Sequence, residues 1–303
     1  MNSQAIVCFG ETLWDILPDG KVAGGAPMNV AIRLAAWEHP VQLISRTGID
    51  EDGNRILEIL QEQNVDISLI QQDLVHPTGK VLVTLNEAGN ASYEIVQPSA
   101  WDAIVLTEEN KKAVAAAKAF VFGSLAARNN TSANTLLQLC EAASYRVFDV
   151  NLRKTFIDIT LIKNLMKRSQ FIKLNDEELI WLTEQISGNK IENRIADLQH
   201  TMQWLQSFTG AETICVTRGA QGALLMHQHK NYEHPGFMVT VKDTIGSGDS
   251  FLATLLSGLL NDLDPHEALE NACAVGALVA THKGANPRIT EADILAIKKQ
   301  APL

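Results

Sequence analysis

No two of the four cysteines in this 303-residue chain stand close together, and no C-x-x-C occurs. Cys8, Cys140, Cys215 and Cys273 each lie inside an apolar run (IVCFG, LLQLCEAA, TICVT, NACAVG). That pattern argues against a disulfide framework and reads as buried free thiols in a reducing compartment. Long hydrophobic runs are also missing: no window approaches the roughly 18 apolar residues of a membrane helix. The start, MNSQAIVCFGE, has neither a basic n-region nor a long apolar core, so the expectation is a cytoplasmic protein without a signal peptide or membrane span. Positive charge is in deficit, with 25 Lys and Arg against 35 Asp and Glu for a formal charge of −10. Nucleic acid and anionic membranes are therefore poor general partners. A small anionic ligand stays open, because a helix N-terminus can bind one despite the net charge. Four common catalytic signatures are absent: G-x-x-x-x-G-K-[ST], a strand-borne G-x-G-x-x-G, H-E-x-x-H and G-x-S-x-G. His227, His229 and His234 cluster in MHQHKNYEHP without zinc-finger spacing or a cysteine partner, which reads as a solvated loop.

What is present is an ordinary globular mixture, 46% hydrophobic and 20% charged, able to bury a large core. Aromatic residues are sparse at 6% while Ala, Leu, Ile and Val abound, as suits helices packed on a buried parallel sheet. The length fits about two domains, or one large α/β domain with a small appendage. Short buried strands are expected at 4–9 and 41–45, with helices at 26–37 and 53–63. From 118 onward strands and helices alternate: AFVFG, a helix at 131–143, RVFDV, a helix near 158–168, QFIKL, a helix at 176–185, a helix at 191–207, then ETICVT. This rhythm implies a parallel sheet with helices on both faces. KVLVTLN and ASYEIV are β-rich runs separated by EAGN, and with ETLWDIL they predict a small separate sheet. Two apolar helices are expected at about 247–260 and 265–280.

Four segments carry candidate chemistry. In DTIGSGDSF, Gly246, Ser247 and Gly248 precede a long apolar helix and Asp249 stands in its first turn. Small residues and first-turn N–H groups make an anion nest, and the carboxylate beside it could take a proton from an attacking hydroxyl. An ordinary cap on a core helix explains the same residues. In GGAPMNVA, Gly24 and Gly25 allow close approach to a small polar ligand and Asn29 offers a donor and an acceptor. A Gly-rich turn with Asn29 in solvent is the plain alternative. In KLNDEE, Asn175 and Glu178 share a helix face, either as a capping box or beside a nucleotide with Glu178 reaching Mg²⁺ through water. VTRGAQGALL is a hairpin or a nucleotide-lining turn.

In order and together, GGAPMNVA, RTGIDEDG, NDEE, TRGAQG and DTIGSGDSFLATLL resemble the ribokinase-like (PfkB) family of sugar kinases over essentially the whole chain. The resemblance implies a kinase domain spanning 1–303: a Rossmann-like parallel sheet with helices on both faces, plus a small β-sheet lid at about 11–22 and 76–97. Within the family, GETLWDILPDG and DVNLR look most like fructokinases, with 2-keto-3-deoxygluconate kinases as the nearest alternative. Asp15, Gly24, Gly25 and Asn29 match the family's sugar contacts, with Asn151, Arg153 and Tyr93 as further candidates. ATP would lie near Asn175, Thr217, Gly219 and Gly222. Asp249 would be the catalytic base, with Gly246, Ser247 and Gly248 as the anion hole. Glu178 would act on Mg²⁺ through water, and Asp243, the Ile245 carbonyl and the loop near Gly284 match a K⁺ site. The apolar residues Val81, Val83 and Leu85 suggest an outer lid face, and a homodimer through the lids follows by analogy. The sequence departs from the family at Glu38, where glycine is usual, at Thr254, and at QPSAW, where an arginine is common.

Overall fold

The computed structural model describes residues 4–18, 20–85 and 91–299. It divides into two compact units at Ser144/Tyr145.

The first unit runs β1 (Ile6–Phe9), β2 (Leu13–Leu17), β3 (Gly20–Gly24), α1 (Ala26–Ala36), β4 (Val41–Gly48), α2 (Glu51–Glu62), β5 (Ile70–Asp73), β6 (Gly79–Leu85), β7 (Ala91–Ile95), α3 (Glu108–Ala116), β8 (Ala119–Gly123) and α4 (Asn130–Ala142). Strands β8, β1, β4 and β5 pair in that order, all parallel. Every residue of β1 and β8 is buried, without polar alternation, because both faces of the sheet are covered. Phe9, Phe120 and Phe122 pack edge to face and tilted at centroid distances of 6.2 and 5.3 Å. Burying each such ring contributes about 1.5–3 kcal/mol. The second, smaller sheet is ordered β3-β2-β6-β7, antiparallel except for the β2–β6 pair.

The second unit runs β9 (Arg146–Asp149), α5 (Ile159–Arg168), β10 (Phe171–Asn175), α6 (Asp176–Ser187), α7 (Ile195–Thr209), β11 (Thr213–Thr217), β12 (Ala223–His227), β13 (Lys230–His234), α8 (Ser247–Leu260), α9 (Pro265–Ala280) and α10 (Glu291–Lys298). Strands β9, β10 and β11 are parallel, and β12 and β13 extend them antiparallel. The C-terminal ends of the parallel strands carry Asp149, Asn175 and Thr217, the edge at which open α/β sheets bind ligands.

The mixed α/β architecture expected from the strand–helix rhythm is present, and all four cysteines are buried and free. Among the described residues no helix is long and apolar enough to cross a membrane. Two readings need correction. MHQHKNYEHP is a hairpin of β12 and β13 and not a solvated loop: His227 bonds Thr213 Oγ1 at 2.8 Å, and the buried His234 accepts from Gly236 N. Val81 and Val83 do not form an outer apolar face; they are buried in a cluster with Leu13, against which Leu17 and Ile95 pack. The side chains of Leu85 and Tyr93 and the EAGN turn lie outside the described residues.

Glu38 closes α1 in a left-handed conformation at φ 60° and is exposed. A side chain costs about 1 kcal/mol or more in that region and glycine does not. Glu38→Gly should therefore raise the unfolding free energy by about 1 kcal/mol, read from urea melts. An unchanged midpoint would mean that local contacts of Glu38 offset the strain.

Candidate active site

A buried polar cluster of the second unit is built around Lys173. It stands inside β10, whose other residues are almost entirely apolar, and its side chain is 9% exposed. The register of β9 and β10 sets Lys173 opposite Asp149, and Lys173 Nζ bonds both Asp149 oxygens at 3.0 and 3.1 Å. A Cβ built on Gly248 would come within 3.3 Å of the same Nζ, so the ammonium lies against the start of α8. Burial pulls the Lys173 pKa down, but the charges of Asp149, Glu178 and Asp249 outweigh it and leave the group above the usual lysine value. One ammonium thus faces three carboxylates.

Glu178 belongs to the capping box anticipated in KLNDEE. Its Oε2 accepts from Asn175 N at 2.9 Å, and Asn175 Oδ1 accepts from Glu178 N at 2.8 Å. Its Oε1 accepts from Leu152 N at 2.6 Å, which ties α6 to the chain leaving β9. Burial raises the Glu178 pKa, against the lowering effects of the Asn175 amide and Lys173. With both oxygens engaged by amides, Glu178 is suited to a hydrated Mg²⁺ rather than to direct coordination; Mg²⁺ sheds its waters reluctantly.

Gly246 caps α8 at φ 75°, and any Cβ there would strike Ala285 at 2.6 Å. Glycine is therefore required for both the turn and the close approach. Asp249 is 9% exposed in the first turn of this fourteen-residue helix, where the helix dipole favours negative charge. Ser247 Oγ is buried and makes no hydrogen bond, an orphaned donor at the helix start. Thr254, one turn beyond, bonds Ser250 O at 2.8 Å and stays within the helix. Asp243 staples the approach: Oδ1 accepts from Ile245 N and Oδ2 from Gly284 N, each at 3.0 Å. The carboxylate and nearby backbone carbonyls are hard oxygen donors, compatible with a monovalent cation.

Thr217 ends β11, and a short 3₁₀ turn holding Gly219 leads through Gly222 into β12. Arg218 N donates to Gly222 O at 2.8 Å and closes the turn. Asn151 adopts φ 38°, and Arg153 on the surface donates to Asn151 Oδ1 at 2.7 Å.

In the first unit, Asp15 on β2 and Gly24 on β3 meet: a Cβ on Gly24 would lie 2.8 Å from Asp15 Oδ2. Gly25 caps α1 at φ 112°, and a Cβ there would meet the Glu11 carbonyl at 2.3 Å. Asn29 follows in the first turn and is 3% exposed, not in solvent. RTGIDEDG is partly structural: Asp50 accepts from Gly53 N at 2.7 Å and from Thr78 N at 2.9 Å, and so caps α2 and anchors the chain entering β6. QPSAW is held by Arg128, which bonds Asp102 at 2.7 and 2.8 Å and lies 3.8 Å from the Trp101 ring centroid.

Sequence reasoning missed Lys173 and Asp149. The available signal was a lysine inside the buried run QFIKL, because a charge there needs a partner.

The sequence matches the family described as pfkB family carbohydrate kinase over residues 6–292. A fructokinase of Salmonella typhimurium is 30% identical, with 94% of this chain and 95% of that one covered. A solved structure of an uncharacterized sugar kinase from Pyrococcus horikoshii in complex with ATP is 28% identical, with 93% and 95% coverage and a TM-score of 0.78. A double-mutant fructokinase from Vibrio cholerae O395, in a form with bound fructose, ADP and potassium ion, is 25% identical, with 97% and 98% coverage and a TM-score of 0.79.

Proposed function

The chain belongs to the pfkB family of carbohydrate kinases, and from that premise we propose that it transfers the γ-phosphoryl group of ATP to the primary hydroxyl of D-fructose, with Asp249 as general base. It is a phosphotransferase with an alcohol acceptor. The observation that carries the finer reading is the Asp149–Lys173 pair lying against the N-terminus of α8, with Asp249 in the first turn. A proton acceptor, a fixed positive charge and a helix dipole meet there. Phosphoryl transfer asks for alignment and charge stabilisation, which such an arrangement supplies. Asp249 takes the hydroxyl proton as the oxygen attacks. Lys173, the first-turn amides after Gly246 and the Ser247 hydroxyl receive the charge on the transferring group. Asp15, Gly24, Gly25 and Asn29 take the sugar hydroxyls, with Asn151, Arg153 and Tyr93 as further contacts. Asn175, Thr217, Gly219 and Gly222 line the nucleotide.

Mg²⁺, when bound with the nucleotide, supplies charge neutralisation, and Glu178 would hold it through water. Potassium would sit by Asp243, Ile245 and Gly284. Replacing K⁺ by tetramethylammonium should lower the rate severalfold; equal rates in both buffers would remove this part of the proposal. The exposed Arg153 guanidinium favours one second reading, a 2-keto-3-deoxygluconate kinase, because it could pair with a substrate carboxylate. ADP release measured with equal concentrations of fructose, glucose, ribose, ketodeoxygluconate and adenosine decides between them. Preference for fructose is expected. Preference for ketodeoxygluconate would reassign Arg153, and no turnover with any of them would leave the function open.

A further inference from the structure

Beside the Asp50–Thr78 anchor, the strands of the small sheet in the first unit converge on a second residue at the start of α2, Asp52. Lys21 Nζ on β3 bonds Asp52 Oδ1, and Lys80 Nζ on β6 bonds Asp52 Oδ2 at 2.8 Å. Trp14 Nε1 on β2 donates to the Asp52 carbonyl at 3.0 Å, and the Lys21 ammonium stands 4.6 Å from the Trp14 ring centroid. The pairing explains the convergence. Trp14 sits opposite Lys80, and Ile16 sits opposite Lys21, so all four share one face. Leu13, Asp15, Val81 and Val83 take the other face. Three of the four strands therefore meet one side chain and its carbonyl, behind the face that carries Asp15.

Asp50 and Asp52 divide the work of GIDEDG. Asp50 gives its oxygens to Gly53 and Thr78 and fixes the helix start. Asp52 reaches away from α2 to the sheet. Burial would raise its pKa, but the two lysines hold it below the usual range. The tie is open to solvent on the lysine side: side-chain exposure is 45% at Lys21 and 42% at Lys80, against 16% at Asp52. Salt can therefore screen it.

Resting on the reading of Asp15 as a sugar contact, we propose that Asp52 is a positioning residue that sets the angle of the small sheet on α2 and thereby holds Asp15 at the sugar. It touches no substrate itself. Asp52→Asn in the full chain should raise the sugar KM about fivefold and leave the ATP KM within about twofold. In the parent, the sugar KM should rise as salt goes from about 0.05 to about 0.5 M, and the variant should lose that dependence. A merely structural role would not split the two KM values or remove the salt effect. Hydrogen exchange gives a readout independent of activity: the amides of β2, β3 and β6 should exchange faster in the variant. If Asp52→Asn does not fold, the doubly substituted Lys21→Met/Lys80→Met chain carries the same test from exposed positions. Exchange unchanged from the parent, or faster exchange with an unchanged sugar KM, would overturn the proposal. A parent without sugar turnover would instead sink the sugar-kinase reading, and the exchange data would still decide whether the tie exists.

Discussion

Asp249→Asn is expected to lower kcat by about 10²–10⁴ while the KM values for sugar and ATP change little. The substitution keeps the shape of the side chain and removes its capacity to take a proton. The position is buried in the first turn of α8, so an amide can occupy it without opening the helix. The loss of a favourable charge–dipole interaction should cost only about 0.3–1 kcal/mol of stability. Initial rates with both substrates varied separate the two effects. A variant with near-parental kcat would show that the base lies elsewhere and would reduce Asp249 to a first-turn charge on the helix dipole.

Lys173→Met should be damaging in two ways. It leaves Asp149, Glu178 and Asp249 without the charge that faces all three. Breaking a buried pair by removing one partner typically costs about 3–5 kcal/mol. It also removes a preformed positive group from the start of α8, and such groups are worth about 10²–10³ in rate. The two losses are separable. Lys173→Met combined with Asp149→Asn should recover much of the stability and none of the activity. A double variant that regains turnover would show that Lys173 only neutralises Asp149.

The pH dependence has a definite sign. The folded-state pKa of Lys173 lies above its ordinary value, so its stabilising contribution is present through neutral pH and is lost only as pH rises through that raised pKa. Glu178 is already raised by burial, and Lys173 opposes that rise. Without the lysine it rises further. A carboxylate with a raised pKa favours the folded state below its unfolded pKa and disfavours it as pH climbs through the folded one. The Lys173→Met deficit should therefore be larger at about pH 8 than at about pH 5 in urea melts. A deficit independent of pH would count against this electrostatic account.

Much of this arrangement was legible in the residues. The β10 run QFIKL followed by NDEE gave both a strand and a capping box, because helix starts write their hydrogen bonding into two positions three apart. The glycines of DTIGSGD marked a turn that the structure explains by the contact of Gly246 with Ala285. What sequence could not give was pairing across distance. Strand register sets Lys173 beside Asp149, 24 positions earlier, and no local pattern encodes that. β3, β5 and β13 escaped notice because each is short and lies on a sheet edge where one side needs no apolar face; β5 and β13 are largely polar, and β3 begins and ends in glycine. α3 and α10 were missed for a similar reason: α3 buries only Asn110 and Val114, and α10 only Ile297. The apolar residues of β6 were seen correctly and assigned to the wrong side, since alternation gives two faces without saying which one is covered.

The central claim is that this site moves phosphate to a sugar carbon's hydroxyl and not to water. Phosphorus NMR of the products formed from ATP and fructose tests it most directly. A phosphate monoester resonance split by neighbouring methylene protons, growing in step with ADP, is the predicted result. ADP with inorganic phosphate alone would contradict the account.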